Sequence, residues 1–275
     1  MIRFSEMIRT AYAQWESASG EGLFQRIDAR IKILFLAFFL VLVSLKTEIL
    51  TEIGIGLFVF LLMLLSRLNV FHLYRKILLF TFVFGFLIAL PSAFNLFKPG
   101  KILWPLLHLS GPYEIWIYPV PRTIGITEEG LYGLGMMALR VWNSLSLTFL
   151  LLYTTPLPEI LRALKIFRVP DAFLIVITLT YKYLFLFSKI VEEMHLAKKS
   201  RLVREPRAQE ARGWVVGRIA FLFRKTRRRA EEVFDAMRSR GFSDRIQIQG
   251  MPKLRPRDKA VGILLLLLGC LFLWM

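Results

Sequence analysis

The chain has 275 residues, 56% of them hydrophobic and 14% aromatic, with a mean hydropathy of +0.54 and a formal net charge of +17. A soluble domain averages closer to half apolar with near-balanced charge, so these values fit one chain only if apolar runs lie in lipid and basic residues in water. The single cysteine, Cys270, sits in an apolar run, which excludes a disulfide framework and a thiolate metal cage.

The first 25 residues lack the continuous apolar core of a secretory signal and predict a retained amphipathic or irregular segment at the membrane surface. Residues 26–154 then read as a membrane domain with four crossings, at Ile31–Leu45, Ile49–Ser66, Ile77–Phe94 and Leu131–Tyr153. Arg26, Arg30 and Lys32 precede the first run, and Arg67, Arg75 and Lys76 follow the second, so both flanks are assigned to the cytoplasm. The link at 95–130, rich in Pro, Trp and Tyr and poor in charge, then lies outside. A last crossing, Ala260–Met275 within 258–275, leaves the N-terminus cytoplasmic and the C-terminus external.

Between them, 155–257 predicts a cytoplasmic helical module. A further apolar run, Ala172–Phe187, is rejected as a crossing because it would carry the most basic part of the chain outward: 23 of the 37 Lys and Arg fall between Thr155 and Arg257. It is expected as a helix buried under the membrane domain or half in the interface. Three helices are predicted here. The first is Pro156–Phe167, with Thr155 as cap and Pro156 at the first helical position. The second runs from Pro170 to about Val203, and the third from about Gly213 to Arg240 with Gly241 as the residue that ends it.

The two long helices end on near-copies of one segment, VEEMHLAKKSRL (Val191–Leu202) and AEEVFDAMRSRG (Ala230–Gly241). Identities fall at Glu192/Glu231, Glu193/Glu232, Ala197/Ala236, Ser200/Ser239 and Arg201/Arg240. Acids early and bases late suit any helix dipole, but two copies at matching ends of a basic module predict two equivalent plugs. In each plug a small-residue face permits close approach, and an Arg fork offers donors to carboxylates or carbonyls. Two like tips suggest a partner that is itself a symmetric pair.

Arg140, within the fourth crossing, is an intramembrane charge that calls for a structural role or an ion pair, and Asn143, Ser144 and Ser146 can hydrogen-bond between helices. The run Arg224–Arg229 suits lipid headgroups or an acidic protein surface better than nucleic acid. His72, His108 and His195 share no ligand spacing, so no metal site is expected. No GxxxxGK[ST] loop occurs, so any ATPase is another chain.

The stretches RVWNSLSLTFLLLYTTPLPEILRALKIFRVP, LTYKYLFLFSKIVEEMHLAKKSR and RRAEEVFDAMRSRGF, with IDARIKILFLAFFLVLVSL near the start, resemble the transmembrane T component of energy-coupling factor (ECF) transporters. Within that family the chain is most similar to the cobalt/nickel type, CbiQ. The resemblance covers about Gly22 to the C-terminus, and the Thr154-Thr155-Pro156 element and the two Arg tips are its most specific parts.

The resemblance implies an all-α integral membrane protein of about five transmembrane helices plus coupling helices, two of them long and crossed, in a prokaryotic cytoplasmic (inner) membrane. It implies no catalysis and no cofactor in this chain, with ATP and Mg bound by two partner ABC ATPase subunits (CbiO-like). The other implied partners are a membrane-embedded S component (CbiM/NikM-like, with or without a small accessory membrane subunit) and membrane lipids; nucleic acid is not among them.

Carried over by position, the family's two ATPase-inserting motifs are Ser200-Arg201-Leu202 and Ser239-Arg240-Gly241. Glu192, Glu193, Ala197, Glu231, Glu232 and Ala236 support them, and Arg140, Asn143, Thr154, Thr155 and Pro156 are expected to make S-component or intramembrane contacts. A vitamin-type ECF module is the alternative, and an intramembrane enzyme a more distant one.

Overall fold

In the computed structural model, residues 20, 22–95, 101–108, 113–115, 118–120, 123–201, 207–241 and 254–274 are described. Among the described residues eight α-helices dominate, in chain order α1 (Ala29–Leu45), α2 (Ile49–Leu65), α3 (Val70–Phe80), α4 (Glu128–Thr154), α5 (Leu157–Ala163), α6 (Asp171–Arg201), α7 (Ala208–Ser239) and α8 (Pro256–Trp274). The chain is an all-α membrane protein, as expected. It forms two compact units, one holding α1 to α5 with α8, the other α6 and α7.

In the first unit α1 starts where Asp28 accepts the Arg30 N–H at 2.9 Å, an N-cap bond that satisfies one free donor of the first turn. The core is aromatic: Phe35 and Phe39 lie 4.5 Å apart, Phe39 stacks on Phe58 of α2 at 5.6 Å, and Phe58 meets Phe272 of α8 at 6.0 Å. Ile55, Val59 and Met63 of α2, Ile77 of α3 and Leu147 and Leu150 of α4 close it. A second cluster joins Ala29 and Ile33 of α1 to Leu151 of α4 and Ala163 of α5. The last turns of α4 and the whole of α5 therefore pack on the start of α1.

Several local expectations change. The third helix begins at Val70, seven residues before the apolar run at Ile77, because VFHLYRKI turns Leu73 and Ile77 inward. Arg75 and Lys76 therefore ride on the helix rather than preceding it, and Lys76 donates to Tyr153 Oη at 3.3 Å. The helix continues through a π-helical stretch, Thr81–Leu87. The link after it carries two antiparallel strand pairs, β1 (Ile102–His108) with β4 (Thr123–Thr127) and β2 (Tyr113–Ile115) with β3 (Tyr118–Val120). Pro105 is accommodated because a two-stranded sheet has only edge strands and the register shifts between Pro105 and Leu107. β4 leads straight into α4, which Thr127 caps by accepting from Gly130 N–H at 3.1 Å.

By length and hydropathy Val70–Leu87, Glu128–Thr154 and Ala172–Arg201 can each cross a membrane, and Ile49–Leu65 is a shorter apolar helix. The run Ala172–Phe187 is thus part of a long continuous helix whose apolar residues are mostly half-buried on their own unit, with Phe173, Val176 and Leu184 exposed.

α7 starts at Ala208 rather than Gly213, since Glu210 accepts the Arg207 N–H at 3.2 Å and stabilises an earlier first turn. α6 and α7 run in opposite directions. Lys198 near the end of α6 lies 4.1 Å over the ring of Trp214 near the start of α7, and an apolar groove of about 700 Å³ farther along is lined by Val176, Tyr183 and Phe187 opposite Val233, Phe234 and Met237.

Candidate functional site

The two repeated helix ends have the same local build. Ser200 Oγ donates to the Ala197 carbonyl at 3.0 Å, and Ser239 Oγ to the Ala236 carbonyl, also at 3.0 Å. Each hydroxyl thereby bonds back to a carbonyl three residues earlier in the final turns of its helix. Arg201 and Arg240 follow, both exposed. At the second tip Gly241 adopts φ +77, a left-handed conformation that L side chains resist, and its N–H bonds the Arg238 carbonyl at 3.0 Å. Leu202, its counterpart at the first tip, lies outside the described residues.

Glu231 and Glu232 pair with Arg227 and Arg228 one turn earlier, at 3.2 and 3.3 Å, so these acids hold part of the arginine run on the helix's own surface. Glu193 is exposed and Glu192 half-buried. Because α6 and α7 are antiparallel, the tips stand at opposite ends of the pair. From the level of Trp214 to Arg240 is 26 residues of helix, about 39 Å at 1.5 Å per residue.

The remaining candidates lie along α4. Midway along it Asn143 is fully buried and its Nδ2 donates to both the backbone carbonyl of Glu52, at 2.8 Å, and the Glu52 carboxylate, at 2.6 Å. Gly56, one turn along α2, leaves room for this pair: a Cβ there would stand 2.8 Å from Asn143 Oδ1. Arg140 attracts the Glu52 carboxylate and donates through Nη2 to the Lys46 carbonyl in the link between α1 and α2. Glu52 Oε1 and Asn143 Oδ1 have no hydrogen-bond partner among the described residues.

At its C-terminal end Thr154 and Thr155 are buried, and both bond Lys32 of α1. Its ammonium donates to the Thr154 carbonyl at 2.9 Å, to Thr155 Oγ1 at 3.1 Å and to the Gln25 carbonyl at 3.3 Å. The predicted cap is therefore corrected. The Thr155 hydroxyl serves Lys32, and the carbonyl of Pro156 accepts the first bonds of α5, from Glu159 and Ile160. Pro156 precedes the first helical residue, Leu157.

Comparison with known proteins places this architecture. A family model described as CbiQ, cobalt transport protein, matches residues 21–250. The chain belongs to the CbiQ family. Among its relatives are an uncharacterised protein, MJ1571, of Methanocaldococcus jannaschii, 31% identical over 87% of this chain and 78% of that protein. Another is the energy-coupling factor transporter transmembrane protein EcfT of Exiguobacterium sibiricum, 26% identical over 93% of this chain and 95% of its own length. Membership makes the chain a membrane-embedded transporter component of the ECF T type.

Two residues of this CbiQ-family chain escaped sequence reasoning, Lys32 and Glu52. Along the sequence Lys32 reads only as a flanking positive charge, and Glu52, inside the second apolar run, carries no assigned role. The available signal was the cost of an ionisable group in a membrane segment, which marks it as partnered. What the sequence could not supply was the partner, more than 90 residues away for Glu52 and Asn143.

Proposed function

We propose that the chain is the coupling subunit of an ECF-type importer, with each Arg tip engaging one of two partner ABC ATPases and the substrate-binding S component lying against its apolar surfaces. The observation that carries this is the pair of like helix ends, Ser-bonded in the same way, Arg-tipped, exposed and held at opposite ends of one antiparallel pair. A single acidic pocket would not need two such ends, whereas a dimer with a recess on each subunit would. The groove between α6 and α7 is apolar enough to receive a membrane partner's helices.

In this reading ATP binding draws the two ATPases together, the tips follow, and α6 and α7 pass the movement to the S component. The chain itself performs no chemistry and binds neither ATP nor Mg. Cobalt or nickel is the cargo favoured by the family, and it is bound by the S component. A vitamin-type ECF module is the second reading, supported by the ECF transporter relative that aligns over 93% of the chain.

We assign α6 and α7 to the cytoplasm, with five crossings, on the charge count alone: 23 of 37 cationic side chains lie between Thr155 and Arg257. The test is co-purification with candidate ATPase subunits, and uptake of radioactive Co²⁺ or Ni²⁺ by the reconstituted complex. Arg201→Glu and Arg240→Glu together are expected to abolish both assembly and uptake, and each alone to weaken them. Wild-type assembly and ATP-driven uptake in the double variant would reject the coupling role. Uptake of a vitamin and not of either ion would move the assignment to the second reading.

A further inference from the structure

We propose that Lys32 is a positioning residue that makes α5 part of the rigid membrane bundle, so that the joint that moves during transport is the turn Phe167–Pro170 and not the Thr154-Thr155-Pro156 break. The inference rests on the coupling reading above. Chain order alone points the other way, because a long helix that stops on two threonines and a proline looks like the natural hinge between membrane and cytoplasmic parts.

The side chains argue against a hinge there. One ammonium, on a lysine that is 1% exposed, holds the Thr154 carbonyl, the Thr155 hydroxyl and the Gln25 carbonyl together. Bending at the break would draw a buried cation away from the acceptors that compensate its burial. The cation also sits at the C-terminal end of α4, where the helix dipole favours it. Apolar packing reinforces the attachment, since Ala163 of α5 is buried with Ala29 and Ile33 of α1 and Leu151 of α4, and Ile160 packs on the same cluster.

The next turn has the opposite character. After Ala163 the helix tightens to a 3₁₀ turn, Leu164–Phe167, with Ile166 and Phe167 exposed. Arg168 takes φ 56, the left-handed region, and Pro170 follows two residues later. A short exposed segment with a residue in an uncommon backbone conformation can absorb a change of dihedral without disturbing a core. The boundary between the two compact units also falls here, at 163/164 and not at 154/155.

Two measurements on the complex reconstituted with its ATPases test this. In a Cys270→Ser background, spin labels at Leu34→Cys on α1 and Arg162→Cys on α5 report their separation with and without ATP. It is expected to stay constant, and a change of about 5 Å or more, the scale of a one-turn slide, would overturn the inference.

Lys32→Met is expected to leave ATPase binding and ATP hydrolysis intact while uptake per ATP falls about tenfold or more, an ordinary size for a lost coupling. Lys32→Arg is expected to recover much of it. Wild-type coupling in Lys32→Met would also overturn the inference. Failure of the unaltered chain to bind ATPases at all would reject the coupling reading instead, so the two ideas fail separately.

Discussion

At the scale of single residues, a few polar side chains lie where burial costs most. Glu52 and Asn143 are both fully buried between α2 and α4, and each keeps one oxygen without a partner among the described residues. Such a pair adds little net stability when intact but is costly to break, because the remaining group stays buried. Asn143→Leu is therefore expected to destabilise the protein by about 2–3 kcal/mol or more, seen as a lowered unfolding midpoint in detergent. Replacing both residues, Glu52→Leu with Asn143→Leu, is expected to recover part of the loss. A double variant less stable than Asn143→Leu alone would show that the pair contributes more than its mutual satisfaction. Gly56→Ala acts on the same spot by overpacking, at a cost of about 1–3 kcal/mol, since its Cβ meets Asn143 Oδ1.

Helices set the next scale, and here the two tips separate what is shared from what is not. The serine bonds to Ala197 and Ala236 are both exposed, so Ser200→Ala and Ser239→Ala are expected to shift stability by no more than about 0.5 kcal/mol. Gly241 differs because its backbone conformation excludes an ordinary side chain. Gly241→Ala is expected to fray the last turn of α7, at about 1–2 kcal/mol, while Gly241→Asn is better tolerated. Amide exchange across the last turn of α7 would read this directly. Equal protection in Gly241→Ala and wild type would mean that the turn is held by something other than its own backbone. The arginine run before the second tip is also partly accounted for at this scale, because Arg227 and Arg228 are matched by Glu231 and Glu232 on the same helix.

For the whole molecule the open choice is topology. The long apolar helix α6 satisfies the length requirement for a crossing, and the charge that follows it argues against one. The two criteria conflict because length measures only whether a helix can span, whereas the loop charges determine whether translocating its flank is affordable. With a membrane-impermeant thiol reagent and the Cys270→Ser background, Lys101→Cys is expected to label from outside intact cells, and Lys225→Cys only in inverted vesicles. Labelling of Lys225→Cys from outside would place α7 beyond the membrane and require α6 to cross.

Much of this was legible before any coordinates. Segregated hydropathy and charge identify a membrane protein, helical periodicity and glycine place the end of α7 at Gly241, and the repeat at a spacing of 39 residues exposes the two tips. These are local or statistical properties, encoded within a few helical turns. The start of α3, the strand pairs in the link and the bond between Lys32 and the α4–α5 break were not legible in the same way. Each depends on which distant segment comes to lie beside it, as with Lys32 and Thr155, which are 123 residues apart. A buried lysine can be recognised along a chain as expensive, but only the packed helices decide which oxygens receive its three protons, and hence which part of the chain is held still.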